Sequence, residues 1–159
     1  MLDAEIIERS VRFAKRNKKL IAKKLTDPRI YLPEEAPVSV FMAGSPGAGK
    51  TEASKRLLDY EGINQFKIVR IDPDELRSEF EYYNGQNSHL FQYPISILVD
   101  KILDYTFKQN QSFILDGTLG GEYSKAEKNI ERSLCKGRFV QIYYVYQEPL
   151  LAWDVVQKR

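Results

Sequence analysis

The chain has 159 residues, of which 43% are hydrophobic and 29% charged, and its formal net charge is +2. This composition supplies the core of one domain rather than two, and the charge is too small to indicate a nucleic-acid partner by itself. A single cysteine excludes an internal disulfide and a zinc site built of cysteines. Neither a signal peptide nor an apolar run long enough to span a bilayer is evident, so we expect a cytoplasmic protein with no membrane partner.

The first segment has the pattern of an amphipathic helix, or of two short helices, followed by a linker. Apolar residues between positions 3 and 25 recur at helical spacing. The opposite face is basic and contains Arg9, Arg12, Lys15, Arg16, Lys18, Lys19, Lys23 and Lys24. This face is either a solvated surface or one that attracts an anion or a partner. The stretch TDPRIYLPEEAP has three prolines and no periodicity, so we expect a helical segment with its linker over 1–36 and a separate core over 37–159.

From Val38 onward, segments typical of strands and of helices alternate. We expect strands over 38–43, 66–71, 112–116 and 138–146. We expect helices over 50–60, 94–109 and 122–136, one that starts at Asp72-Pro73-Asp74, and one in the final stretch EPLLAWDVVQKR, with Trp153 in the core. This alternation predicts an α/β fold, with a parallel sheet covered by helices on both faces. Ligands of such sheets bind at the carboxyl ends of the strands.

A phosphate-binding loop is predicted between the first strand and the first helix of the core. The motif G-x-x-x-x-G-K-[ST] is matched at every defined position by Gly44-Ser45-Pro46-Gly47-Ala48-Gly49-Lys50-Thr51. The glycines let successive backbone N–H groups converge on one anion, and the helix adds its positive end. Lys50 would reach the β- and γ-phosphates, and the Thr51 hydroxyl would hold Mg²⁺. The motif therefore predicts a P-loop NTPase-like fold that binds a nucleoside triphosphate, without specifying the reaction.

Acidic residues follow two further strands and are candidates for the chemistry. Asp116, at the end of the third strand, would orient Mg²⁺ by way of a water molecule. Asp74 would orient an acceptor hydroxyl and take its proton, and Arg77, one turn later, would meet a substrate phosphate. The alternatives are that Asp72 or Asp74 only caps a helix and that Asp116 only forms a turn before Gly117. The guanine-reading motif N-K-x-D is absent from the sequence.

The stretches AGSPGAGKT, RIDPDELR and FILDGT, in this order and spacing, resemble those of the zeta toxin family of P-loop kinases. The resemblance extends from Val38 to the end of the chain. It implies that the protein uses ATP or GTP, with Mg²⁺, to phosphorylate a sugar hydroxyl of UDP-N-acetylglucosamine. It also implies a toxin whose nucleotide site is blocked by an antitoxin protein.

The same resemblance assigns roles to individual residues. Lys50 would hold the nucleotide phosphates, Asp74 would be the catalytic base, and Arg159 would contact phosphate during catalysis. Asp116 and Thr118, in the Asp-Gly-Thr stretch, would bind the acceptor. Reference members of the family have Glu at the position of Asp116.

Two other functions remain open on the sequence. The acceptor could instead be an antibiotic, a nucleoside or the 5′ end of a polynucleotide. The protein could also be a nucleotide-binding or antitoxin-binding module without a full catalytic set, because the sequence stops at Arg159, where the family's lid would follow. A separate hypothesis is that the basic N-terminal helix covers the nucleotide site in cis, as an antitoxin helix would in trans.

Overall fold

The computed structural model describes residues 2–59, 67–117 and 123–158. Its helices are α1 (Asp3–Leu25), α2 (Lys50–Asp59), α3 (Gln92–Lys108), α4 (Tyr123–Leu134) and α5 (Pro149–Gln157). Its strands are β1 (Val38–Ala43), β2 (Val69–Ile71), β3 (Phe113–Leu115) and β4 (Phe139–Tyr144). Two short 3₁₀ segments, Glu75–Glu79 and Ser88–Phe91, lie between β2 and α3. Within the described ranges, no helix is both long enough and apolar enough to cross a membrane.

The four strands form one parallel sheet in the order β2-β3-β1-β4. The register pairs Val40 of β1 with Ile114 of β3, and Val69 of β2 with Phe113 of β3. Because all four strands run the same way, their carboxyl ends meet at one edge of the sheet. The predicted α/β class, with helices around a parallel sheet and a helix before it, is confirmed.

Both faces of the sheet are covered. The larger core lies between the sheet, α1 and α3, and its fully buried side chains include Ala14, Phe41, Leu98, Ile102 and Phe113. The rings of Phe41 and Phe113 pack edge to face, with centroids 5.7 Å apart. A smaller core of Val40, Met42 and Ile114 packs beneath α2 on the opposite face. The sheet is thus fixed in place from both sides, which gives its carboxyl edge a rigid base.

The N-terminal segment forms one helix, α1, rather than two short ones. Its apolar side packs against α3 and contributes Ala14, Ile21 and Ala22 to the larger core. None of its described residues lines the cleft at the carboxyl edge, although Arg9 donates a hydrogen bond to the Tyr82 hydroxyl and Phe13 packs against Phe80, both in the segment between β2 and α3. The hypothesis that α1 covers the nucleotide site in cis therefore has no support in this arrangement. The predicted boundary between an N-terminal segment (1–36) and a core (37–159) stays a prediction.

Several elements are shorter than the sequence pattern predicts. The strand predicted over 66–71 begins only at Val69, because Lys67 has a left-handed backbone with φ 44°, which an extended strand does not allow. The prediction of a helix that starts at Asp72-Pro73-Asp74 is wrong in its type, because only the 3₁₀ segment Glu75–Glu79 forms there. A 3₁₀ segment is held by tighter i→i+3 bonds and rarely extends beyond a turn or so.

The prediction that Trp153 lies in the core is wrong. Its side chain is 62% exposed, and α5 instead buries Ala152. The neighbouring edge strand β4 also exposes large apolar residues, among them Phe139 and Tyr144. Apolar residues are common on protein surfaces, so an apolar helical face alone does not predict burial.

Candidate functional site

The loop between β1 and α2 has the backbone of a phosphate-binding loop. Gly44, Gly47 and Gly49 have φ values of 141°, 77° and 87°, a region that other residues rarely adopt. The Nζ of Lys50 donates hydrogen bonds to the carbonyl oxygens of Gly44 and Ser45, both at 2.8 Å. Because α2 starts at Lys50, its positive N-terminal end faces the loop. The arrangement can hold an anion between backbone N–H groups and the lysine.

Two of these glycines also allow other backbone to approach closely. A Cβ atom on Gly44 would lie 2.3 Å from the carbonyl oxygen of Val145. A Cβ on Gly47 would lie 2.2 Å from the carbonyl oxygen of Ala152 and 3.1 Å from Val156 Cγ2, both in α5. The residue that follows β4, Val145, and one side of α5, at Ala152 and Val156, therefore lie directly against the phosphate loop.

This contact predicts the effect of the substitution Gly47→Ala. The methyl group would strain the positive φ and push α5 away from the loop, so we expect ATP affinity to fall at least tenfold and stability to fall by about 2–3 kcal/mol. Gly85→Ala is the matched control, since Gly85 has φ 88° and its Cβ would meet nothing within 4 Å. Calorimetric titration with Mg-ATP and urea denaturation measure both effects. Equal losses in the two variants would refute a role of the α5 contact.

A cleft of about 520 Å³ opens at the carboxyl edge of the sheet, a volume typical of small-molecule sites. It is lined by Pro46, Gly47, Gly49, Lys50, Thr51, Asp72, Pro73, Asp74, Arg77, Ser88, Asp116, Gly117 and Val156. The phosphate loop, the acids that follow β2 and β3, and one side chain of α5 thus share a single cavity.

Two of the acids are buried and tightly held. Asp116 is 3% exposed, and its Oδ2 accepts hydrogen bonds from Ser54 Oγ at 2.9 Å and Arg70 Nη2 at 3.0 Å. Asp72 accepts a bond from Arg70 through Oδ2 and one from the backbone N–H of Asp74 through Oδ1, the latter at 2.8 Å. Asp72 thus shapes the turn before the 3₁₀ segment.

Asp74 differs from the other two acids because it is open to the cleft. Its side chain is 64% exposed, and Oδ1 forms an ion pair with Arg77 Nη1 at 2.7 Å. The Nε of Arg77 is buried and has no hydrogen-bond partner among the described residues. A buried donor without an acceptor is costly, and Arg77 carries this cost directly beside the accessible carboxylate of Asp74.

Arg70 is the residue of this region that the sequence did not reveal. Its guanidinium contacts Ser54, Asp72, Glu75 and Asp116. Burial lowers the pKa of Arg70, but the hydrogen bond that Arg70 donates to Glu75 and the charge of Asp72 outweigh this effect, so the pKa is raised and the group stays cationic. The one feature of the sequence that could have indicated its role is a charged residue in the middle of a short apolar strand.

The cleft brings together eight of the predicted site residues, which are Pro46, Gly47, Gly49, Lys50, Thr51, Asp74, Arg77 and Asp116. Three loop residues, Gly44, Ser45 and Ala48, do not line it. Two others, Thr118 and Arg159, lie outside the described residues. Among the residues with described positions, no cluster of three or more His, Cys, Asp or Glu could hold a metal ion alone.

Comparison with known proteins gives one family and several structures of similar fold. The family model described as Zeta toxin matches residues 21–159. No curated protein has a sequence that matches this chain significantly.

Three solved structures have related folds. A structure of the PezAT chromosomal toxin-antitoxin system of Streptococcus pneumoniae aligns with a TM-score of 0.71 and 22% identity, over 96% of this chain and 61% of that chain. The structure of AvrRxo1-ORF1:-ORF2 with ATP aligns with a TM-score of 0.58 and 18% identity, over 98% of this chain and 49% of that chain. The structure of the Pnkp1/Rnl/Hen1 complex aligns with a TM-score of 0.54 and 14% identity, over 79% of this chain and 40% of that chain. The chain therefore spans less than two thirds of each of these proteins, and at such identities the likeness concerns the fold.

Proposed function

The chain belongs to the zeta toxin family, and from this premise we propose that it is a P-loop kinase that transfers the γ-phosphate of ATP or GTP to a hydroxyl of a small molecule. The proposed acceptor is UDP-N-acetylglucosamine, and the proposed biological role is that of a toxin. The observation that carries the proposal is the cleft in which an accessible carboxylate, Asp74, faces the same cavity as Lys50 and Thr51 of the phosphate loop.

The nucleotide phosphates would bind at the loop and at Lys50. In this structure, the Nζ of Lys50 is satisfied by two loop carbonyls, those of Gly44 and Ser45. On binding, the lysine would exchange these neutral acceptors for phosphate oxygens, and charge-assisted hydrogen bonds of this kind are stronger. The other residues of the loop, Pro46 to Gly49 and Thr51, would contact the nucleotide mainly through backbone N–H groups.

The residues at the cleft also fit a magnesium ion. Thr51 and Asp116 both line the cavity and offer a hydroxyl and a carboxylate oxygen, the donor type that Mg²⁺ prefers. Thr51 would ligate the ion directly and Asp116 through water, with phosphate oxygens completing the set. Such an ion neutralises charge on the transferring phosphoryl group.

Asp74 would be the base and Arg77 its partner. A hydroxyl that enters the open side of the cleft can donate its proton to the exposed carboxylate, which holds that hydroxyl in line with the phosphate. Arg77 lines the cleft, so its guanidinium would suit an anionic acceptor such as a sugar nucleotide. In this proposal Asp116 and Thr118 also contact the acceptor, and Arg159 contacts phosphate.

The toxin role implies a protein partner. The PezAT structure is of a toxin-antitoxin system, and AvrRxo1-ORF1:-ORF2 with ATP is likewise a complex that includes a nucleotide. We propose that an antitoxin covers this cleft. The competing functions are a kinase for an antibiotic, a nucleoside or a polynucleotide end, and a binding module without turnover.

A panel of acceptors tests the proposal. The purified protein is incubated with Mg²⁺ and ATP labelled on the γ-phosphate, together with UDP-N-acetylglucosamine, free N-acetylglucosamine, an aminoglycoside, a nucleoside or a 5′-hydroxyl oligonucleotide. We expect label in the UDP-sugar at a kcat/KM at least 100-fold above any other acceptor. Preferential labelling of another compound would mean that this compound, rather than UDP-N-acetylglucosamine, is the acceptor. ATP binding without any labelled acceptor would favour a binding module without turnover.

A further inference from the structure

Arg70 occupies an unusual place in the sheet. It is the central residue of the three-residue strand β2, between the fully buried Val69 and Ile71. Since side chains alternate along a strand, Arg70 faces the opposite side, toward α2. Its neighbour in register, Ile114, packs there in the smaller core. The side chain of Arg70 is only 11% exposed, so a cation lies where an apolar residue would extend that core.

Four hydrogen bonds connect this cation to the elements that build the cleft. Nη2 donates to Asp72 Oδ2 at 2.5 Å and to Asp116 Oδ2 at 3.0 Å. Nη1 donates to Glu75 Oε1 at 2.7 Å, and Nε donates to Ser54 Oγ at 3.0 Å. The guanidinium therefore joins the ends of β2 and β3, helix α2 and the 3₁₀ segment. The rigid fork of arginine suits such a set of acceptors, whereas lysine offers a single point charge.

These bonds decide which carboxylate oxygens remain for the cleft. Arg70 engages Oδ2 of both Asp72 and Asp116, which leaves Oδ1 of Asp116 as the oxygen without a hydrogen-bond donor among the described residues. Oδ1 of Asp72 accepts the backbone N–H of Asp74, which links the guanidinium to Asp74 through one intervening side chain. Arg70 itself is not among the residues that line the cleft, so it does not touch a ligand there.

We propose that Arg70 is a positioning residue that fixes Asp116 and, through Asp72, the turn that carries Asp74. Two carboxylates bound to one nitrogen lie side by side, and without the cation they would repel each other and turn apart. A displacement of about 1 Å in such a group can lower a rate about 10²-fold. The inference rests on the proposed phosphoryl transfer for its kinetic consequence, but the effect on the turn is independent of turnover.

The kinetic test compares Arg70→Met and Arg70→Lys with the matched pair Arg138→Met and Arg138→Lys. Arg138 is also buried and hydrogen-bonded, to Ser39 Oγ and the Gln111 carbonyl, but it precedes β4 at the other edge of the sheet. For Arg70→Met we expect kcat to fall about 10²-fold with the KM for ATP changed less than threefold. Arg70→Lys should retain at least tenfold more kcat than Arg70→Met, and Arg138→Met should keep kcat within threefold at a temperature where it is folded.

A second readout follows the turn directly. Hydrogen exchange by NMR is compared at the amide of Asp74, which bonds to Asp72 Oδ1, and at the amide of Val69, which bonds to the Ser112 carbonyl. In Arg70→Met we expect protection of the Asp74 amide to fall at least tenfold while that of Val69 is retained, because the strand persists. If Arg70→Met does not fold, Arg70→Lys is used, with an expected threefold loss.

Three results would overturn the inference. These are a kcat of Arg70→Met within threefold of wild type, an equal loss of kcat in Arg138→Met, and unchanged protection of the Asp74 amide. If the wild-type protein transfers phosphate to no acceptor, the proposed function fails, and the exchange measurement alone then decides the role of Arg70.

Discussion

Replacing Asp74 by asparagine is expected to lower kcat for phosphoryl transfer by about 10²–10⁴-fold, the contribution typical of a positioned base. Asparagine keeps the size of the side chain but cannot accept the proton, and it loses the charge that pairs with Arg77. Because the side chain is 64% exposed, its ion pair contributes at most about 1 kcal/mol to stability. We therefore expect ATP affinity within threefold of wild type and little change in thermal unfolding.

The matched control for this substitution is Asp104→Asn. Asp104 is also a partly exposed carboxylate that forms an ion pair with an arginine, Arg132, at 2.6 Å, but it does not line the cleft. Steady-state kinetics with saturating nucleotide should give an unchanged kcat for this variant. A kcat of Asp74→Asn equal to that of the control would remove Asp74 from the chemistry.

Replacing Lys50 by methionine is expected to lower kcat/KM for ATP by about 10³-fold or more, the scale at which a charge that clamps the transferring phosphoryl group contributes. Methionine keeps an unbranched apolar stem but has no charge to offer to the phosphates. The loss should appear in binding as well as turnover, since the same ammonium group now bonds the Gly44 and Ser45 carbonyls beside the predicted phosphate position. Titration calorimetry and initial rates measure the two effects.

Lys55→Met is the control for this second substitution. Lys55 lies on the same helix, α2, where its ammonium group is 3.9 Å from Glu75 and its side chain is 59% exposed. Surface pairs of this kind contribute little, so nucleotide affinity and rate should stay within twofold of wild type. ATP binding by Lys50→Met that equals that of Lys55→Met would mean that the nucleotide is held elsewhere.

The features that could be predicted from the sequence are those that local chemistry determines. The phosphate loop over 44–51 requires glycines at defined positions, so its residues identify it without tertiary information. The parallel sheet follows from alternation of strands and helices. Once the strands are parallel, their carboxyl ends share an edge, and this is why Asp74 and Asp116 could be expected beside Lys50.

Features that depend on the packing of distant elements could not be predicted in the same way. Trp153 was expected in the core as an aromatic residue of the last helix, but α5 buries Ala152 and leaves Trp153 exposed, and its Ala152 carbonyl lies against Gly47 of the loop. In the sequence, Arg70 looks like an ordinary strand residue. Its role depends on Asp116 and Ser54, which β3 and α2 place next to it only in the folded protein. Ser54 and Asp116 lie 16 and 46 positions away from Arg70 in the sequence. Contacts over such separations leave no periodic signal in the sequence.

The central claim is that the γ-phosphate goes to a hydroxyl of a small acceptor rather than to water. Phosphorus NMR of a reaction with Mg-ATP and UDP-N-acetylglucosamine follows ADP, inorganic phosphate and any new phosphomonoester at once. The account predicts one phosphomonoester on the sugar for each ADP formed, with inorganic phosphate below about a tenth of the product, and no monoester with Asp74→Asn over the same time. ADP formed together with an equal amount of inorganic phosphate, at a rate that the acceptor does not change, would contradict it.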